Sequence, residues 1–101
     1  MIEMLVGLHV TNDAAYQAYR DGMAPILERC RGGFGYDFQI AKVLKQATEA
    51  PINRVFTIYF RDETNRDEFF SDPEYKRIKQ EFFEQAVSHT TILASYVRAE
   101  M

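Results

Sequence analysis

The sequence predicts an α+β domain whose four-stranded antiparallel sheet carries both helical regions on one face and leaves the other face bare and apolar. Three observations predict it. Strand-like and helix-like segments alternate in the order β-α-β-β-α-β. The segment Arg54-Val55-Phe56-Thr57-Ile58-Tyr59-Phe60-Arg61 is apolar on both faces, because strand side chains alternate: Val55, Thr57 and Tyr59 point one way and Phe56, Ile58 and Phe60 the other. Right-handed crossovers then place both helical regions on the same side of the sheet. A strand apolar on both faces is normally covered on both, so the remaining face calls for a second copy of the chain, sheet against sheet about a two-fold axis.

Ile2 to Val10 reads as the first strand, with Ile2, Met4, Val6, Leu8 and Val10 on one face and Glu3, Leu5, Gly7 and His9 on the other. Thr11-Asn12-Asp13 supplies N-cap chemistry. Ala15, Tyr16, Tyr19, Met23, Ile26, Leu27 and Cys30 then recur at helical spacing, with Gln17, Arg20, Asp21, Glu28 and Arg31 mainly opposite. Pro25 removes the hydrogen bond to the Asp21 carbonyl and is expected to kink or break the helix near Gly22. Gly32 suits a left-handed residue just past the helix end. Phe34 to Leu44 reads as the second strand, with Phe34, Tyr36, Phe38 and Ile40 on one side, and Gln46 to Ile52 as a loop. Asn53 to Arg61 is the third strand and Asp62 to Ser71 a short helix. Asp72-Pro73-Glu74 restarts a helix with an acidic cap and Pro at its first position. Tyr75, Ile78, Phe82, Phe83, Ala86 and Val87 form its apolar side. Thr90 to Arg98 closes the chain as a fourth strand, with Ile92, Ala94 and Tyr96 opposed to Leu93, Ser95 and Val97. This order is ferredoxin-like, and residues 1–101 are expected to form one such domain, two copies of which pair sheet face on sheet face.

Composition narrows the partners. The chain has 101 residues, 47% of them hydrophobic, and a formal net charge of −3 with both signs interspersed. Such a surface gives nucleic acid no basic track. Gly33-Phe34-Gly35-Tyr36-Asp37-Phe38 is similar to an aromatic RNA-binding strand, but it lies on the second strand rather than the third and Asp37 would repel phosphate. No apolar run approaches the roughly 20 residues that span a bilayer, and the N-terminus lacks a basic region and a cleavage site. One cysteine, Cys30, excludes an internal disulfide. A cytoplasmic address is therefore expected, without membrane or nucleic-acid partners. No His-x-x-x-His or Cys-x-x-Cys spacing, phosphate-cradling glycine loop or serine elbow occurs, so neither metal nor organic cofactor is expected.

Four residues are candidates for chemistry. His9, on the face assigned away from the helices, is a proton shuttle if that face lines a cavity, and a strand-end histidine bonded to backbone or water if it does not. Tyr59 and Arg61 share a face of the third strand. They read either as a hydroxyl donor with an anion anchor, or as a packing tyrosine with a solvated arginine. Asp37 is either a buried acid, possible partner of His9 or ligand contact, or an edge-strand charge that discourages unwanted pairing. Tyr16, Tyr19 and Tyr75 read as packing residues, and His89 as a cap at a helix-to-strand junction.

Asp13, Tyr19, Pro25, Gly32-Gly33-Phe34, Phe60 and Pro73-Glu74-Tyr75 together resemble the signature of the domain of unknown function 1330 family. The chain departs from that signature at Gln39-Ile40-Ala41, where an Arg-Gly-Gly run is common, and at Glu81-Phe82, where many members carry arginine. The resemblance implies the dimeric α+β barrel superfamily, with a cavity in each half of the dimer. It also implies, by analogy of fold, a small molecule of hydrophobic or aromatic character as ligand. The activities implied are those of a cofactor-independent oxygenase or isomerase, with His9 as acid/base, Tyr59 as donor and Arg61 and Asp37 as substrate contacts. A non-catalytic binding or sensing module, and a purely structural dimerisation module, are the alternatives.

Overall fold

The computed structural model describes residues 1–99. The chain runs β1 (Ile2–Val10), α1 (Asp13–Arg29), β2 (Gly32–Gln39), β3 (Arg54–Phe60), α2 (Glu63–Ser71), α3 (Pro73–Ile78), a π-helical turn (Lys79–Phe83), α4 (Glu84–Ala86) and β4 (Val87–Val97). All strand pairs are antiparallel, in the order β2-β3-β1-β4, the ferredoxin-like arrangement expected from the element order.

Side chains with short oxygens start the helices. Asn12 Oδ1 accepts from the Ala15 amide at 3.0 Å, Asp62 from the Asn65 amide at 2.8 Å and Asp72 from the Tyr75 amide at 3.0 Å. Each such cap is worth about 1 kcal/mol. Pro25 does not break α1, which runs unbroken from Asp13 to Arg29. Asp21 and Pro25 lie on the same exposed side, so the carbonyl that loses its partner faces water, while Tyr19, Met23, Ile26 and Leu27 hold the opposite side in the core. The left-handed residue after α1 is Arg31, with φ 57°, not Gly32.

Gly32 answers a different need. A Cβ there would lie 2.6 Å from Leu27 Cδ1 and 2.8 Å from the Tyr59 carbonyl oxygen. Gly32→Ala is therefore expected to destabilise the fold by about 1–3 kcal/mol, because backbone on one side cannot give way. Equilibrium urea denaturation checks this.

The core lies between one sheet face and the helices. Val6, Leu8 and Val10 of β1 and Phe56, Ile58 and Phe60 of β3 meet Tyr16, Met23, Ile26 and Leu27 of α1 and Phe69, Tyr75 and Ile78 beyond β3. Val55, Thr57 and Tyr59 belong to the outer face, with Glu3, Leu5, Gly7 and His9 of β1.

Three bulges correct the expected faces. On β2, Phe34 pairs with Ile58 and Asp37 with Phe56, so Gly35 and Tyr36 together oppose Thr57. Phe34 is inner, while Tyr36 stacks on Phe38, centroids 5.7 Å apart, on the outer side. On β4, Ile92 pairs with Val6 and Ala94 with Leu5, which leaves Leu93 as an additional residue and sends Ile92 and Ala94 to opposite faces. Ser88 is the third extra residue, between His89 opposite His9 and Val87 opposite Val10. Each bulge reverses the alternation beyond it. The second strand also ends at Gln39 rather than Leu44, and the fourth starts at Val87, which places His89 inside a strand rather than at a cap.

Candidate functional site

A cavity of about 270 Å³ lies between the inner face of the sheet and the helices. Its sheet wall is apolar except for Thr90 of β4: Met4, Val6 and Leu8 of β1, Phe34 of β2, Phe56 and Ile58 of β3, and Ile92 of β4 complete it. Its helical wall carries the polar groups: Tyr16, Tyr19 and Arg20 of α1, Tyr75 of α3, and Lys79 on the π-helical turn beside Phe83. Turns of this kind interrupt helices frequently at functional sites. Ile92 is 53% exposed and marks the mouth on the β4 side.

The tyrosines are donors. Tyr19 Oη and Tyr75 Oη are 2.9 Å apart and buried. One hydroxyl donates to the other, which leaves one O–H proton available. Burial pushes the Tyr19 phenol far above its ordinary range, and the neighbouring Tyr75 phenol adds to this. Burial also raises Tyr75, and raises Tyr16 against the pull of Arg20. All three are therefore protonated at neutral pH.

Arg20 was expected on the polar side of its helix, yet its side chain is only 12% exposed. The guanidinium lies over Phe34, Cζ 3.8 Å from the ring centroid, with the Phe56 and Tyr16 rings at 5.0 and 5.2 Å. Its Nε donates to Tyr16 Oη at 2.8 Å. Asp37 stands next to it, turned to the inner face by the β2 bulge. Arg54 grips Asp37 with two hydrogen bonds, Nε to Oδ1 at 3.0 Å and Nη2 to Oδ2 at 2.8 Å. The Arg54 hydrogen bonds hold the Asp37 carboxyl below its usual range, with Arg20 helping.

The residues singled out from sequence lie elsewhere. His9 faces outward as assigned, but the cavity is on the other side of the sheet. His9 Nδ1 is 2.6 Å from Ser88 Oγ, which is 2.9 Å from His89 Nδ1. Tyr59 is also outward, under the Arg98 guanidinium at 5.2 Å. Arg61 is half exposed and pairs with Asp62 at 3.4 Å. Asp37 meets arginines rather than His9. The four do not converge on one point, and none lines the cavity. Arg20, Tyr19 and Tyr75 do line it. Their signal in the sequence was slight: a cation four residues after Tyr16, on the flank of the buried stripe.

Two further features complete the inventory. A polar groove of about 400 Å³ lies beside the end of β1, but its Asn53 amide is occupied by both backbone groups of Val10 at 2.8 Å. Cys30 is buried, and burial raises its thiol. Among the described residues, no three His, Cys, Asp or Glu side chains gather as metal ligands, and no helix is long and apolar enough to cross a membrane.

A family model described as "Domain of unknown function (DUF1330)" matches residues 4–96. No curated protein matches the chain. Among solved structures, a protein of unknown function from Rhodopseudomonas palustris superposes with a TM-score of 0.80 at 19% identity, over 99% of this chain and 83% of that one. A Dabb family protein with a ferredoxin-like fold from Mesorhizobium loti gives 0.71 at 11% identity, over 98% and 97% of the two chains. A putative antibiotic biosynthesis monooxygenase from Nitrosomonas europaea gives 0.59 at 12% identity, over 99% and 100%. At these identities the likeness concerns fold alone.

Proposed function

The chain belongs to the DUF1330 family, within the dimeric α+β barrel superfamily, and on that premise we propose that it is a homodimer that binds a small, largely apolar or aromatic molecule between its sheet and its helices. The cavity carries this reading. At about 270 Å³ it stands just below the usual range for ligand pockets, and its wall has their character, apolar with a few convergent polar groups. A dry cavity of about 150 Å³ already holds benzene, so the space here suits one substituted ring.

Binding takes precedence over turnover because of the wall chemistry. A cofactor-independent oxygenase or isomerase needs a base beside its substrate. The titratable groups here are protonated tyrosines, a lysine and an arginine. His9, Tyr59 and Arg61 would serve catalysis only in a site made on the outer face where two copies meet. Dimerisation through that face is supported by its exposed rings: Tyr36 is 64% exposed, Phe38 51% and Tyr96 40%.

Ile92→Trp, at the cavity mouth, is expected to lower affinity for benzyl alcohol at least about tenfold while the unliganded Tm stays within a few degrees. Ligand at ten times its Kd adds about 1.4 kcal/mol to stability and lifts Tm by several degrees in a domain of this size. Thermal shift therefore reads both quantities. Benzyl alcohol that stabilises the wild type and Ile92→Trp equally would place binding outside the cavity.

A further inference from the structure

We propose that the ligand of this cavity is an anion: a small ring-bearing monocarboxylic acid whose carboxylate is taken by Arg20. This rests on the cavity being the binding site and adds what the site selects.

Arg20 Nη2 is buried without a hydrogen-bond partner among the described residues. It forms an ion pair with Asp37 Oδ1 at 3.3 Å, an oxygen that also accepts from Arg54 Nε at 3.0 Å, so Arg20 has only a long, shared contact with that carboxylate. Two guanidinium groups share one carboxylate, which leaves a surplus positive charge at the cavity wall. Asp13 adjoins Arg54 in the polar groove on the far side and so tempers Arg54 rather than Arg20. A buried donor on a charged group is costly while it stays unpaired. The planar guanidinium is also suited to carboxylate geometry. The Phe34 ring centroid lies 3.8 Å from its Cζ and Tyr16 holds its Nε, so the guanidinium at the cavity wall is positioned before any ligand arrives.

The remaining polar groups at the site agree in kind. The Tyr19–Tyr75 pair keeps one spare O–H donor, and Lys79 Nζ, 5.7 Å from the Phe83 ring centroid, adds positive charge. The wall thus offers mainly donors and cationic charge, and its complement is a molecule rich in acceptors and negatively charged. The apolar sheet wall and the volume limit the rest of that molecule to about one ring. A single guanidinium in so apolar a space matches one carboxylate better than a phosphate dianion.

Isothermal titration of the wild type with benzoate and its neutral counterpart benzyl alcohol tests this. Benzoate is expected to bind about 10- to 100-fold tighter, the range of a charge-assisted hydrogen-bonded pair. Arg20→Met is expected to abolish that preference, read as the ratio of the benzoate and benzyl alcohol affinities of the same variant. Arg20→Lys keeps the charge but loses the fork, and is expected to retain only part of the preference. It also serves as the second variant should Arg20→Met not fold. Equal affinities for the two probes in the wild type, or a full preference surviving in the folded variants, would overturn the carboxylate assignment and leave the cavity reading standing. Failure of both probes to bind the wild type would overturn both.

Discussion

Leu5→Glu is expected to convert the proposed sheet-to-sheet dimer to a folded monomer. Leu5 sits near the middle of the outer face, on the central strand β1, opposite Thr57 on one side and Ala94 on the other. It contributes nothing to the buried cluster between sheet and helices, so the protomer keeps its core. In a sheet-to-sheet dimer the two-fold axis doubles the substitution. Two carboxylates would enter an interface that already holds Glu3 on the same face of β1, each at an effective desolvation penalty of several kcal/mol. A total of about 4 kcal/mol already weakens association about a thousandfold. Sedimentation velocity at micromolar concentration measures the change, and circular dichroism checks that the fold is retained. A wild type that sediments as a monomer, or a Leu5→Glu variant that remains dimeric, would rule out this pairing.

The same face shows where sequence reasoning reaches and where it stops. The double-faced pattern of Val55 to Phe60 was legible because alternation needs only the strand itself. The outward assignment of His9 agrees with the observed register, which also settles that Tyr59, not Phe60, shares that outer face. The caps at Asn12, Asp62 and Asp72 were legible because a short side-chain oxygen acts on its own first turn. The bulges were not. Gly35 is a weak local hint of a bulge, but an extra residue at Leu93 or Ser88 has no local signature, since it arises from how two distant strands come into register, and each one reverses the faces that follow. Asp37 and Ile92 were misassigned for that reason. Arg20 was hidden by a related effect. Its position beside the apolar stripe suggests water, but a long side chain can lie along any apolar surface that reaches it, and that surface is Phe34, on another element. The cavity depends on how far α1 and the π-helical turn stand from the sheet, a distance set by packing and not by any one residue. Its side of the sheet therefore could not be read in advance, although the outward position of His9 could.

Asp37→Asn is expected to lose stability at neutral pH and to regain parity in acid. Arg54 and Arg20 hold the Asp37 carboxyl below its ordinary value. A carboxylate with a depressed folded value contributes stability that is fully present above its unfolded value, near 3.9, and that is lost as pH falls through the folded value. The wild type should therefore exceed the variant at pH 7, with the difference shrinking below about pH 4. Breaking a fully buried ion pair costs about 3–5 kcal/mol. The Asp37 side chain is 32% exposed, so solvent screening reduces the expected difference to about 1–3 kcal/mol. The variant also leaves Arg20 and Arg54 facing each other with no anion between them. Asp72, whose carboxyl is lowered mainly by the Tyr75 amide, titrates in the same acid range. It does so equally in both proteins, and the difference between them isolates Asp37. Urea denaturation at several pH values between 3 and 7 provides the comparison. A constant difference across that range would mean that Asp37 acts through packing alone. No difference at pH 7 would mean that the two arginines do not depend on it, and that the charge surplus assigned to Arg20 has another counterweight.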